Sequence, residues 1–186
     1  MNPLNHSALL VLDMQGPFVA NLPAELPFLE PISRAIAAAR AKAIPVIYVV
    51  VSFRPGMPEI GSTNQIFSPF KERMHAADMQ EFARIHPAVA PRAGEMVVSK
   101  LRVSAFTGSG LDVILKAAAI EHLVICGITT SGAVLSTVRE AADKDYRLTV
   151  LADGCADKDA DAHRVLTTSV FPAQATVLQV DEWAQQ

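Results

Sequence analysis

Six short apolar runs, rich in β-branched residues, recur along this chain with helix-patterned segments between most of them. They are ALLVLD (8–13), PVIYVVV (45–51), MVVS (96–99), LVICGI (123–128), RLTVLAD (147–153) and ATVLQV (175–180). Most are continuously apolar rather than alternating, the pattern of strands buried on both faces of a parallel sheet. Pro31 suits the first position of a helix in which Ile32, Ile36, Ala39 and Ala43 share one face. Ser109 and Asp112 resemble a capping box ahead of Leu111, Ile114, Leu115 and Ala118. Val134, Val138, Ala141 and Ala142 make the next apolar stripe, and a last helix is expected from Asp159 to Thr168, stopped by FPAQ. Residues 53–93 hold many of the prolines and read as loops with one or two short helices, suited to a pocket wall or a partner surface. Right-handed crossovers then give an α/β fold, a three-layer α/β/α Rossmann-like sandwich around a mainly parallel six-stranded sheet.

The rest of the composition narrows the function classes. A length of 186 residues suits a single domain, 1–186, with a substantial core; 51% hydrophobic and 19% charged residues separate it from disordered chains. A net charge of −3 and a pI near 5.9 supply no basic field for nucleic acid. The densest apolar run, IPVIYVVV, is strand-sized and too short to cross a membrane. The opening MNPLNHSALLVLD has neither a basic stretch nor a cleavage site, so no secretory signal is expected. Two cysteines, Cys126 and Cys155, suggest no disulfide framework. The expected location is the cytoplasm.

In open parallel sheets ligands bind beyond the carboxyl ends of the strands. Asp13 ends the first run, Phe53 and Arg54 follow the second, Lys100 follows the third, and GITTSG follows the fourth. Four functional segments therefore converge on one rim.

Those segments, in that order, resemble the isochorismatase-like hydrolase (cysteine hydrolase) superfamily. LLVLDMQGPF holds the first strand and its aspartate, VVSKLRVSAF the lysine loop, and VICGITTSGAVLSTVREAADKDYRLTVLADGCAD the nucleophile turn and beyond. In cysteine-bearing members the resemblance implies an Asp–Lys–Cys triad that cleaves amides and related bonds. A thiolate at a helix N-terminus, and the oxyanion formed after its attack, are both stabilised by backbone N–H groups there. The resemblance also implies a non-proline cis peptide just before the turn, at Ile128–Thr129 here. Carried over, Asp13 and Lys100 match the family aspartate and lysine, and the cysteine position falls on Ala133. A methyl group cannot act as a nucleophile, so the covalent route is closed to this chain as written. True isochorismatases resemble this arrangement: they keep Asp and Lys, carry a small residue at the cysteine position, protonate a vinyl ether carbon and let water finish the hydrolysis.

The remaining residues carry two readings each. Asp13 and Lys100 would also make a purely structural ion pair. Gln15 and Phe18 match the family's polar and aromatic residues after the aspartate and are candidates for substrate binding, although an aromatic there equally suits the core. Arg54 could clamp a substrate carboxylate or form a surface ion pair. Thr129, Thr130 and Ser131 suit a helix N-cap, while the N–H groups of Thr129 and Ala133 suit an oxyanion and Thr130 suits substrate binding. Cys126 reads as core, and Cys155 as structural with a minor claim to reactivity from its place near the rim. His6, His75, His86, His122 and His163 are scattered singly, and SFRPGMPEIGSTNQIF lacks the Asp and two His that bind metal in nicotinamide-hydrolysing relatives. No catalytic metal and no cofactor are expected. The glycines of TGSGL read as turn and cap residues, not a dinucleotide fingerprint.

The expected protein is an isochorismatase-type hydrolase of a small molecule, working by Asp13/Lys100-assisted water attack or vinyl ether protonation. By resemblance it forms a homodimer or higher homo-oligomer. The same residues are also those of a Cys-to-Ala variant of a cysteine amidohydrolase, and of a relative that binds small molecules without turnover.

Overall fold

The computed structural model describes residues 6–24, 26–74 and 77–186. The opening pentapeptide MNPLN and His75, both read above, lie outside the described residues.

Six strands form one sheet: β1 (Ser7–Leu12), β2 (Val46–Val51), β3 (Met96–Lys100), β4 (His122–Ile128), β5 (Arg147–Ala156) and β6 (Thr176–Leu178). Their spatial order is β3-β2-β1-β4-β5-β6 and every pairing is parallel. The order reverses between β1 and β4, so this α/β sheet has its topological switch point beside Asp13. Every residue of β1 and β2 is buried, because helices cover both faces.

Strand periodicity divides the core. Leu9 and Val11 face one layer, with Ile32 and Ile36 of α2 (Leu29–Ala41) and Trp183 of α8 (Val180–Ala184). Ala8, Leu10 and Leu12 face the other, with Leu111 and Leu115 of α5 (Leu111–Ala117) and Val134, Val138 and Ala141 in and ahead of α6 (Leu135–Asp143). A satellite cluster of Val51, Phe53, Met57, Ile60, Phe67 and Phe82 lies where the irregular stretch was expected. That stretch contains α3 (Phe67–Met74) and α4 (Met79–Phe82), while the short α1 (Gly16–Val19) follows β1.

Several boundaries differ from the sequence reading. Pro31 is the third helical residue of α2, behind Leu29 and Glu30, and Ala43 lies past the helix end with φ 54°. The Ser109–Asp112 capping box does not form. Gly110 is the N-cap, Ser109 Oγ accepts only the Leu111 N–H (3.2 Å), and Asp112 pairs instead with Lys116 at 2.7 Å. Asp159 does cap α7 (Ala160–Val165), its carboxylate accepting the Ala162 N–H at 3.0 Å. The chain then continues through a wide turn (Leu166–Val170) into a tight one (Phe171–Ala173), so it stays helical beyond Thr168. The final ATVLQV run pairs over only Thr176–Leu178, because Gln179 and Glu182 form a true capping box that opens α8.

Two local features aim the chain at the rim. The β4–β5 register shifts between Ile125 and Gly127, which lengthens β5 through Ala156 and carries Asp157 to the sheet's carboxyl edge. Gly127 has φ 125°, and a Cβ placed on it would sit 2.2 Å from the carbonyl oxygen of Leu12, its partner on β1. Only glycine fits there.

Candidate active site

Asp13 and Lys100 meet. Asp13 leaves β1 in the left-handed region (φ 54°), open to short polar side chains more than to most others. Lys100 is the last residue of β3 and is completely buried. Its ammonium donates to Asp13 Oδ2 at 2.8 Å and to the Val103 carbonyl at 2.7 Å. Asp13 Oδ1, equally buried, has no hydrogen-bond partner. Burial pushes the Asp13 carboxyl up from 3.8 to about 6, although the Lys100 charge and hydrogen bond pull the other way. Desolvation wins, and the carboxyl is held well above the usual carboxylate range.

A cavity of about 410 Å³ opens onto Asp13, with Lys100 buried behind it and outside the cavity wall. Asp13, Thr129 and Ala133 line it, together with Phe18, so the aromatic after the aspartate is a pocket wall as well as a core contact. Ala133 is buried, in the wide first turn Thr130–Val134 that leads into α6. The Ile128–Thr129 peptide bond is cis. Thr129 and Ala133 thus stand at the helix mouth beside the Asp13 carboxylate.

Three expected site residues lie elsewhere. Gln15 is fully buried and its amide is committed to backbone: Nε2 donates to Val51 O (3.0 Å) and Phe82 O (2.9 Å), and Oε1 accepts the Val51 N–H (2.7 Å). It braces the end of β2 and offers a ligand nothing. Arg54 is exposed, pairs with Glu59 at 2.6 Å and lines a different depression, with Pro55 and Gln80, rather than the cavity at Asp13. Thr130 is buried with its hydroxyl 2.8 Å from His163 Nδ1, so it ties the turn to α7 and is absent from the cavity wall. His163 is itself shifted down by burial, against the opposing pull of Asp157.

Neither cysteine lines the cavity. Cys126 is buried in β4 with its thiol pushed far up by desolvation, and Cys155 lies within β5, not beyond it, pushed up to about 12 by burial. Both are thiols at neutral pH. Among the described residues no group of three or more His, Cys, Asp or Glu side chains is placed to hold a metal ion, and no helix is long and apolar enough to cross a membrane.

The structure adds residues that the sequence reading passed over. Phe67, Phe70 and Arg73 of α3, with Ile66 just before it, wall the cavity from the irregular stretch, where no period marks them. Asp157 and Lys158 line it after β5. Asp157 accepts the Ser131 N–H at 2.7 Å and the Asp159 N–H at 3.2 Å, so it anchors the turn. Its place just past a strand end was the one available signal.

Comparison with known proteins fits this arrangement. The isochorismatase domain family model matches residues 7–182. The ureidoacrylate amidohydrolase RutB of Yersinia enterocolitica is 32% identical over 174 residues, covering 81% of this chain and 75% of its own. A cysteine hydrolase from Pseudomonas syringae pv. phaseolicola shares the fold, with a TM-score of 0.87 at 24% identity over 100% of this chain and 93% of that one. The N-carbamoylsarcosine amidase of Thermoplasma acidophilum superposes with a TM-score of 0.76 at 28% identity, over 94% and 96% of the two chains. With a parallel sheet of this order, a buried Asp–Lys pair at its switch point and a family match along nearly its whole length, the chain belongs to the isochorismatase domain family.

Proposed function

We propose that this isochorismatase-family hydrolase cleaves a small molecule without a covalent enzyme intermediate, with Asp13 as the proton-transfer group and water as the nucleophile. The observation that carries this reading is the division of labour within one carboxylate. Lys100 pins Oδ2, while Oδ1 is buried and unpartnered beside the cavity that Ala133 also lines. A buried oxygen without a partner is costly in a purely structural ion pair, and it is what a proton acceptor needs.

For an amide, Oδ1 takes a proton from water as the water oxygen bonds to the carbonyl carbon. The oxyanion faces the N–H groups of Thr129 and Ala133, and the proton passes to the nitrogen as the C–N bond breaks. For a vinyl ether, protonated Asp13 donates to carbon and water adds to the resulting oxocarbenium-like centre. The relatives' names, ureidoacrylate amidohydrolase and N-carbamoylsarcosine amidase, favour the amide. The methyl of Ala133 leaves room for the water in either case.

Asp13→Asn is expected to lower turnover on a panel of amides and vinyl ethers by about 10²–10⁴-fold. Unchanged turnover refutes the mechanism. The pH profile of kcat/KM separates the two chemistries, because Asp13 titrates near 6. A base gives a rate that rises with pH through that value, and an acid gives one that falls.

A second reading, a Cys-to-Ala form of a cysteine amidohydrolase, is favoured by the place of Ala133 at the helix mouth and by the amidohydrolase relatives. Ala133→Cys tests it. Strong new amidase activity that iodoacetamide abolishes supports it, whereas the parent's turnover is expected to resist alkylation because both native thiols are buried. Binding without hydrolysis across the panel would instead identify a non-catalytic relative.

A further inference from the structure

Two cations at the cavity have nothing to hold. Arg73, in the last turn of α3, and Lys158, between β5 and α7, both line it. Neither has an ion-pair or hydrogen-bond partner among the described residues. Asp157, beside Lys158 in sequence, is bonded to the N–H groups of Ser131 and Asp159, and Glu72, beside Arg73, makes its contact elsewhere than with Arg73. Lys100, by contrast, is pinned between Asp13 and Val103. The positive charge at Arg73 and Lys158 is therefore unspent.

Three phenylalanines share this cavity's lining with the two cations and Asp13. Phe18 and Phe70 each pack against Phe82 with ring centroids 5.2 Å apart, which fixes their orientation. Phe67 is held edge-on to Phe53 at 5.7 Å, and the Arg102 guanidinium lies over its ring at 5.8 Å. Ile66, 65% exposed, adds an apolar side chain that the described residues leave largely uncovered. A water-filled cavity has no use for such a lining. A planar hydrocarbon body would bury it and gain the ring-on-ring contacts that aromatic walls offer.

We propose that the cavity takes an aromatic carboxylate, its anionic end on Arg73 and Lys158, its ring against Phe18, Phe67 and Phe70, and its scissile bond at Asp13. This rests on the hydrolytic reading of the same site and adds the substrate class to it. Arg73 supplies a planar fork that matches a carboxylate, and Lys158 adds a point charge. A cationic ligand would meet like charge at Arg73 and Lys158, and a neutral one would gain hydrogen bonds there but no ion pairing. The carboxylate clamp expected from Arg54 falls to a different arginine.

The test is calorimetric titration of the full chain with phenylacetate, with its neutral counterpart phenylacetamide, and with acetate. Phenylacetate is expected to bind about tenfold or more tightly than either control, and the Arg73→Ala/Lys158→Ala double variant to lose about tenfold or more of that affinity. Phenylacetamide is expected to lose less than about threefold in the variant. Both positions are exposed, so an unchanged unfolding temperature confirms that the fold is intact. Equal binding of acid and amide, undiminished binding by the double variant, or no binding of phenylacetate overturns the proposal. Asp13→Asn carried through the same titrations separates the two claims. Charge selectivity that persists while Asp13→Asn keeps full turnover sinks the mechanism alone. Lost selectivity with turnover still dependent on Asp13 sinks the substrate class alone.

Discussion

The two ends of the central strands treat polar side chains in opposite ways. At the amino edge His122 bridges β1 and β5, with Nδ1 2.9 Å from Ser7 Oγ and Nε2 2.9 Å from Thr149 Oγ1. Both ring nitrogens are used, and the ladder is closed. At the carboxyl edge of β1 and β3, Asp13 and Lys100 form an ion pair that leaves one buried oxygen open. Burial drives both groups toward neutrality, His122 down to about 4 and Asp13 up to about 6. The difference lies in what surrounds the neutral form. A satisfied polar bridge contributes to stability and to strand register; an unsatisfied one beside a cavity is held ready for a partner from outside.

That contrast can be broken most forcefully at Lys100. Lys100→Met leaves the Asp13 charge buried without its counter-ion, at an expected cost of about 3–5 kcal/mol at pH 8, and about 100-fold in turnover. The stability loss should shrink as the pH falls and Asp13 protonates, which urea unfolding at pH 8 and pH 5 would reveal. A loss independent of pH would mean that the pair is mere packing.

The amino edge should respond in stability alone. His122→Phe strands the hydroxyls of Ser7 and Thr149 and is expected to cost about 1–3 kcal/mol with kcat unchanged. Because the folded pKa of His122 lies below its ordinary 6.5, the unfolded parent takes up a proton that the folded one refuses. The parent's advantage over the variant should therefore decline as pH falls from 6.5 toward 4. Asp13, with its raised value, pushes the other way: its contribution to stability improves as pH falls from about 6 toward 3.8. Comparing unfolding of His122→Phe and Asp13→Asn across that window isolates the two slopes. Turnover lost in His122→Phe would erase the distinction between the edges.

The smallest effect belongs to Arg54. Its side chain is 76% exposed, and Arg54→Ala is expected to change stability by about 0–1 kcal/mol and to leave ligand affinity intact. A large loss of affinity measured by titration would return the clamp to this residue.

Much of this was legible before any coordinates. The strands announced themselves through unbroken β-branched runs, because burial on both faces leaves no polar positions to interrupt them. Asp13, Lys100 and the GITTSG segment share one rim from strand ends alone, since parallel topology sends every carboxyl end to the same side, while Ala133 is singled out by the family resemblance. Residue type does not reveal whether a polar group is already spoken for: the amide of Gln15 is consumed by Val51 and Phe82, and Arg54, read as either a clamp or a surface ion pair, makes the ion pair with Glu59. Thr130 likewise spends its hydroxyl on His163. Phe67, Phe70 and Arg73 escaped notice because they belong to a segment whose shape comes from aromatic contacts distant in sequence, not from a local period. Helix α8 hid behind a run that reads as strand until the Gln179–Glu182 box interrupts it.

The contact at Gly127 reaches furthest. With only a hydrogen facing the Leu12 carbonyl, the seam between the first and fourth strands works as a ruler. Its two graduations are the residues next in line, the acid at 13 on one side and, through Thr129, the helix mouth on the other. Any bulk inserted at 127 would be read out not as a local clash but as a mis-set gap between the Asp13 carboxylate and the turn that carries Ala133.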